Sequence, residues 1–350
     1  MKAPFRLYGS ELSPYSVKVR AVLRFKGLEF EWLPRSTSRQ EEFTRYAKLP
    51  LIPVLVDAEG DALQDSTPII EALERDFPKP SVTPEAPALA FMSALIEDYA
   101  DEWLNKAMFH YRWTYPEDQA SAAKRIVAML FEGGEAPDGM EEAVRTRMTG
   151  RLHHVGSSPE TAALIEASFV RALGLLEAML GANPYLFGAR PCLADFGLAG
   201  QLWTLASDPT PGAIIEAQAP NVRAWLQRME APKVEGGFAS AASLRDALVG
   251  LLREELGATY LPWMAVNAAA VEEDSPGVSV EVADGVFSQK PQRYAAKALA
   301  ELKRKRAGFE DLELAALLED SGCAAYFAAA GESGDDDEAE DAGGDGDGEA

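Results

Sequence analysis

The chain predicts an α/β domain followed by an all-helical one, and three observations carry that expectation. Short apolar runs, Phe5-Arg6-Leu7-Tyr8 and Phe30-Glu31-Trp32-Leu33, alternate with helical patterns near the N-terminus. Residues 49–57, then Ala58-Glu59-Gly60-Asp61, then 62–67 read as strand, tight turn, strand and helix cap. Beyond Pro78-Lys79-Pro80, Pro84 and Pro87, a linker by composition, only helical patterns continue as far as Met229.

At 350 residues the chain is long enough for two domains and an appendage, and 47% hydrophobic residues can furnish a sizeable core. No apolar run reaches the roughly 18 residues that a membrane-spanning helix needs. Met1-Lys2-Ala3-Pro4 leads straight into a strand, so the reading is a cytoplasmic, non-exported protein with no membrane partner. Cys192 and Cys323 are far apart and lack metal-ligand spacing, which supports neither a disulfide framework nor a zinc site, and no metal is expected. The net charge of −23 is uneven, because residues 331–350 hold ten carboxylates and no base. Such a field argues against a nucleic-acid partner.

The first corner, Ser13-Pro14-Tyr15-Ser16, joins strand to helix. Ser13 suits a helix N-cap and Pro14 the first helical position, where a missing N–H costs nothing. Amide hydrogens and the positive end of the helix dipole at such a tip favour an anion, a thiolate among them. Read alone, Ser13 is a cap. The helix runs over 16–26 and stops at Gly27, strand two covers 30–33, and a polar helix follows from Arg39 to Tyr46. Ile52-Pro53 bends the chain before strand three. Asp65-Ser66-Thr67-Pro68 starts the third helix, with either Asp65 or Ser66 as its cap.

Ser13, Pro53 and Asp65-Ser66, in this order and spacing and followed by a helical half, resemble the cytosolic glutathione transferases. The resemblance implies a thioredoxin-like domain of order βαβαββα in residues 1–80 and an all-helical domain in 86–230. A helical extension with a hairpin in 231–330 and a disordered acidic tail in 331–350 fall outside it. It also implies that Pro53 is cis, so that Ile52 pairs through its backbone with an extended peptide, and that Ser66 and Asp65 hold the γ-glutamyl end of glutathione, the co-substrate. Ser13 is then the catalytic hydroxyl, with Tyr8 at the end of strand one as its rival. Leu51 stands where relatives often carry a polar or basic anchor for the ligand's glycine end.

The second domain opens on a long aromatic helix over 88–113, whose middle and end form the electrophile pocket in the resembling family. Leu12, Tyr15, His110 and Tyr111 are the candidates for that pocket. His153 and His154 are adjacent and read as structural. Pro191-Cys192-Leu193-Ala194-Asp195 resembles the family's buried helix cap with Cys192 at the cap position, so Asp195 is expected to do the capping. Helices over 244–256, 260–271 and 291–306 and a hairpin about Ala283-Asp284 fill the extension. The Lys303-Arg304-Lys305-Arg306 cluster reads as the cationic end of a helix. The functional expectation is thiol activation for attack on a small electrophile by a homodimer. The alternative is a non-catalytic binding or scaffold protein of the same fold acting through its extension.

Overall fold

A computed structural model describes residues 1–328; the expectation of a disordered tail over 331–350 lies outside the described residues. The first domain is β1 (Phe5–Gly9), α1 (Pro14–Phe25), β2 (Phe30–Pro34), α2 (Gln40–Tyr46), β3 (Val54–Val56), β4 (Ala62–Gln64) and α3 (Ser66–Asp76). The sheet order is β2-β1-β3-β4. β1 runs parallel to β2, with Phe5 opposite Phe30, and antiparallel to β3, with Tyr8 opposite Val54. That register lays the exit of β1 beside the entry to β3. The first corner and the cis Ile52–Pro53 bond therefore share one end of the sheet.

Side-chain alternation along β1 divides the core. Phe5 and Leu7 join the large cluster with α1 and α3, whereas Tyr8 joins Leu33, Phe43, Val54 and Val56 beneath α2.

The helical half comprises α4 (Pro87–Tyr99), a π-helical stretch (Ala100–Leu104), α5 (Asn105–Thr114), α6 (Pro116–Leu130), α7 (Met140–Thr149), α8 (Ala162–Ala182), α9 (Leu193–Ala206), α10 (Pro209–Gln218) and α11 (Pro220–Met229). The single helix expected over 88–113 is thus one continuous run from Pro87 to Thr114, with one wide turn inside it. Helix α9 is central, packing on both α1 and α4. Its Gly200 permits the approach to α1, since a Cβ there would stand 2.5 Å from the Pro14 carbonyl oxygen. Asp195 caps α9 by accepting from the Cys192 and Leu186 N–H groups (2.9 and 3.0 Å) and from the Trp225 indole (3.0 Å).

The extension is α12 (Ala241–Leu251), a π-helical stretch (Leu252–Tyr260), α13 (Leu261–Glu272), the hairpin β5 (Val278–Val282) and β6 (Gly285–Gln289), α14 (Arg293–Ala307) and α15 (Leu312–Ser321). The two helices expected over 244–256 and 260–271 form one continuous run. Gly257 sits inside it, where a Cβ would meet the Cys323 sulfur at 2.8 Å, so close packing rather than helix termination accounts for the glycine. Helices α14 and α15 both lie on α4. Aromatic pairs Trp103–Trp263, Tyr99–Tyr260 and Phe91–Phe327, at ring separations of 5.6, 5.7 and 5.3 Å, join the extension to the core.

Candidate active site

The corner after β1 is held by its own short-range bonds and by one residue distant in sequence. The Leu12 N–H donates to Ser10 Oγ and the Ser13 N–H to the Ser10 carbonyl, both at 3.1 Å. Arg112 of α5 donates through Nη1 to the Leu12 carbonyl (2.8 Å) and through Nε to Asp208 (2.7 Å), a buried charge pair. Arg112 was not legible in the sequence, because nothing local marks an arginine whose partners are the first corner and the start of α10.

Ser13 is the N-cap of α1, in extended backbone at φ −101° and ψ 112°. Its Oγ accepts from the Ser16 N–H at 3.3 Å. Among the described residues nothing accepts the Ser13 hydroxyl proton, so the O–H is left to donate. It faces a cavity of about 630 Å³ that Leu12 and Ile52 also line. The remaining wall is largely apolar, from Met108, Phe109 and Trp113 of α5, Ile126, Met129 and Leu130 of α6, and Val144 and Met148 of α7. Arg35, Arg147 and Arg151 bring three guanidiniums to it, and none pairs with a carboxylate among the described residues. Arg35 is held below its usual range by burial and then by the like charge of Arg147. The loop after β2 closes one side, with the Thr37 N–H and Oγ1 both donating to the Leu130 carbonyl (2.9 and 3.0 Å).

At the far side of Pro53, Gln64 clasps residues 49–51. Its Nε2 donates to the Leu49 and Leu51 carbonyls (both 2.7 Å) and its Oε1 accepts from the Leu49 N–H (3.0 Å). Leu51 itself is exposed. Asp65 occupies the N-cap position of α3 with φ +84°, a region that L residues seldom enter, and its side chain makes no capping bond. Ser66 is already the first residue of α3, so neither side chain caps it as expected. The Ser66 Oγ is buried and has no partner, and the Asp65 carboxylate accepts from the Tyr294 hydroxyl of the extension at 2.9 Å.

The other candidates lie elsewhere. Tyr8 is fully buried under α2 against Phe43 and Tyr46, with burial pushing its hydroxyl well above the usual phenol range. The alternation that places Leu7 on the α1 face turns Tyr8 away from the cavity. Three pocket assignments are corrected. His110 is buried and bonded to Ser157 Oγ (2.8 Å) and Glu166 (3.0 Å), and Tyr111 is buried on Phe169 and Tyr115. At 100° per residue the cavity face of α5 is 108, 109, 112 and 113, and positions 110 and 111 fall on the opposite side. Tyr15 is half-buried off the cavity, its hydroxyl donating to the Asp101 carbonyl (3.0 Å) and accepting from Asn105 (3.1 Å). The rings of His153 and His154 lie 4.2 Å apart, tilted by 40°, outside the cavity wall. The β3–β4 turn brings Asp57, Glu59 and Asp61 within 4.8 Å of one another, but Asp57 Oδ1 there accepts the N–H groups of Glu59 and Asp61, which is turn construction.

Comparison with known proteins places the sequence among relatives. The family model for the glutathione S-transferase N-terminal domain matches residues 7–81, and that for the C-terminal domain matches 144–228. Glutathione S-transferase 3 of Zea mays is 30% identical over 234 residues, which are 65% of this chain and 90% of that protein. The isoprene-epoxide glutathione S-transferase of Rhodococcus sp. (strain AD45) is 27% identical over 229 residues, 63% of this chain and 92% of that protein. A crystal structure of a glutathione S-transferase from Rhodospirillum rubrum F11 aligns with a TM-score of 0.44 at 23% identity, covering 65% of this chain and 88% of that one. With both halves matched in order and nine-tenths of the maize enzyme spanned, the chain belongs to the glutathione S-transferase family.

Proposed function

We propose that the chain binds glutathione across the end of the sheet and that Ser13 stabilises its thiolate for attack on an electrophile in the adjacent cavity. The observation that carries this reading is the Ser13 hydroxyl, fixed at the tip of α1, facing a cavity and free to donate. A donor and a helix N-terminus at one point lower a thiol pKa, and the thiolate is the nucleophile. The thiol proton passes to solvent as glutathione binds. The sulfur lone pair then forms the bond to carbon, while the leaving group, or the oxygen of an opened ring, takes the electron pair of the broken bond.

In this reading the peptide lies against Ile52 and Pro53 with its γ-glutamyl carboxylate on Ser66 and the N-terminus of α3, where a buried Oγ lacks a partner. Asp65 takes the ammonium. The cavity favours an electrophile with an apolar body and an acidic group, since apolar walls carry three guanidiniums without carboxylate partners among the described residues.

The test is conjugation kinetics on single variants. Ser13→Ala lowers kcat by on the order of 10²-fold, the usual cost of one donor to a developing anion, and Tyr8→Phe leaves it unchanged. Equal activity of Ser13→Ala and wild type overturns the assignment.

A further inference from the structure

The extension reaches back to the first domain at two polar points: Lys305 of α14 lies 3.7 Å from Glu71 of α3, and Tyr294 bonds Asp65, which belongs to the glutathione site proposed above. Helix α14 begins at Arg293, and the hydroxyl of its second residue, Tyr294, donates to Asp65 Oδ2 at 2.9 Å. Tyr294 is not there to fill the core, since it is 54% exposed. Asp65 has turned its side chain away from α3 through a left-handed backbone, so Tyr294 is its partner in place of the helix. Among the described residues no other side chain donates to this carboxylate, and Oδ1 is left open.

Three features make this contact more than a surface hydrogen bond. The neighbouring Ser66 Oγ, 99% buried and unpartnered, marks the N-terminus of α3 as built for a ligand. Asp101 and Glu102 add to the negative field around Asp65 and Tyr294. The donor is also neutral. A lysine or arginine here would cancel the charge that attracts an ammonium, whereas a phenol fixes the carboxylate rotamer and leaves the field intact.

We infer that Tyr294 is a positioning residue for glutathione: it locks Asp65 so that the open carboxylate oxygen meets the γ-glutamyl ammonium, and the extension thereby completes the peptide site within one chain. This rests on the proposed glutathione reading. It gives the extension a role in the reaction that no match to the two family domains covers, since both end before it.

The experiment is titration calorimetry with S-methylglutathione, together with steady-state kinetics at varied glutathione, on full-length wild type, Tyr294→Phe, Asp65→Asn and the double variant. The expected result is a 5- to 10-fold weaker Kd and higher glutathione KM in Tyr294→Phe, with kcat at saturation unchanged. In the Asp65→Asn background Tyr294→Phe has no further effect. Binding by Tyr294→Phe equal to wild type would reduce the contact to surface structure and overturn the inference. Tighter binding would overturn it too, showing that the tyrosine obstructs the site. An additive effect in the double variant would mean that Tyr294 acts other than through Asp65. Failure of wild type to bind the peptide at all is a different outcome, since it sinks the glutathione reading itself.

Discussion

At the scale of single residues, two hydrogen-bonding positions are used differently. The half-buried Ser13 keeps a hydroxyl donor without an acceptor among the described residues, while the buried Asp195 uses its acceptors on the fold. Burial pushes the Asp195 carboxyl up to about 6, against the bonds it accepts from Cys192, Leu186 and Trp225. A carboxyl raised in the folded state from an ordinary 3.8 adds stability that is whole below about pH 4 and is lost as pH rises to about 6. That loss is about 3 kcal/mol, at 1.36 kcal/mol per pH unit. Denaturant melts of wild type between pH 4 and 6.5 should show this decline. Asp195→Asn, less stable throughout because a buried N–H loses its acceptor, should show a flatter one. A decline of equal slope in both proteins would show that the titrating group is another. Asp195 and Pro53 were legible because their roles are local and carry a motif. Gln64 and Arg112 were not, since the latter's partner Leu12 is 100 residues away and neither side chain has a signature in its own neighbourhood.

Among the elements, α5 decides what the cavity offers. Its aromatic composition was visible in the sequence, but which aromatic residues face the cavity depends on the phase of the helix, and the wide turn at Ala100–Leu104 shifts that phase. Hence Phe109 and Trp113 line the wall where His110 and Tyr111 were expected. Across the cavity, α7 presents Arg147 on its last turn, at the rim. Arg147→Ala is expected to reduce kcat/KM for an aryl electrophile bearing a carboxylate by about 5-fold, the scale of one solvent-exposed charge pair, and to leave its neutral methyl ester unaffected. Equal losses on acid and ester would mean that α7 contributes shape rather than charge. The long run from α12 through α13 illustrates the same limit on sequence reading. A glycine inside a helix signals either an end or a close neighbour, and Cys323, the neighbour, is remote in sequence.

Over the whole molecule, the two family domains and the extension share one continuous core. Lys18 of α1 is buried between Glu97 and Asp101, pairing with the latter at 2.7 Å, and the two carboxylates hold its ammonium above the usual range although burial opposes them. The extension is tied in by Lys106, whose Nζ donates to Gln289 (3.0 Å) and lies 3.9 Å from the centre of the Trp263 ring. Trp263→Ala should therefore cost about 3–5 kcal/mol of global stability, read as a lower melting temperature of the single cooperative transition. A separate low-temperature transition, with the main one unmoved, would show the extension to be an independent appendage. The hairpin and the helical character of 244–271 and 291–306 could be read from periodicity, but helix α15 was not expected, and the union with the core was not legible because its contacts join residues more than a hundred positions apart.

The central claim is that the tip of α1 holds a peptide sulfur as thiolate. It is tested most directly by ultraviolet difference titration of the thiolate absorbance of bound glutathione, in wild type and in Ser13→Ala. The predicted result is a bound thiol that ionises below the free thiol in wild type and returns towards the free value in the variant. Bound glutathione that ionises like free glutathione in wild type, or identical titrations in the two proteins, would contradict it.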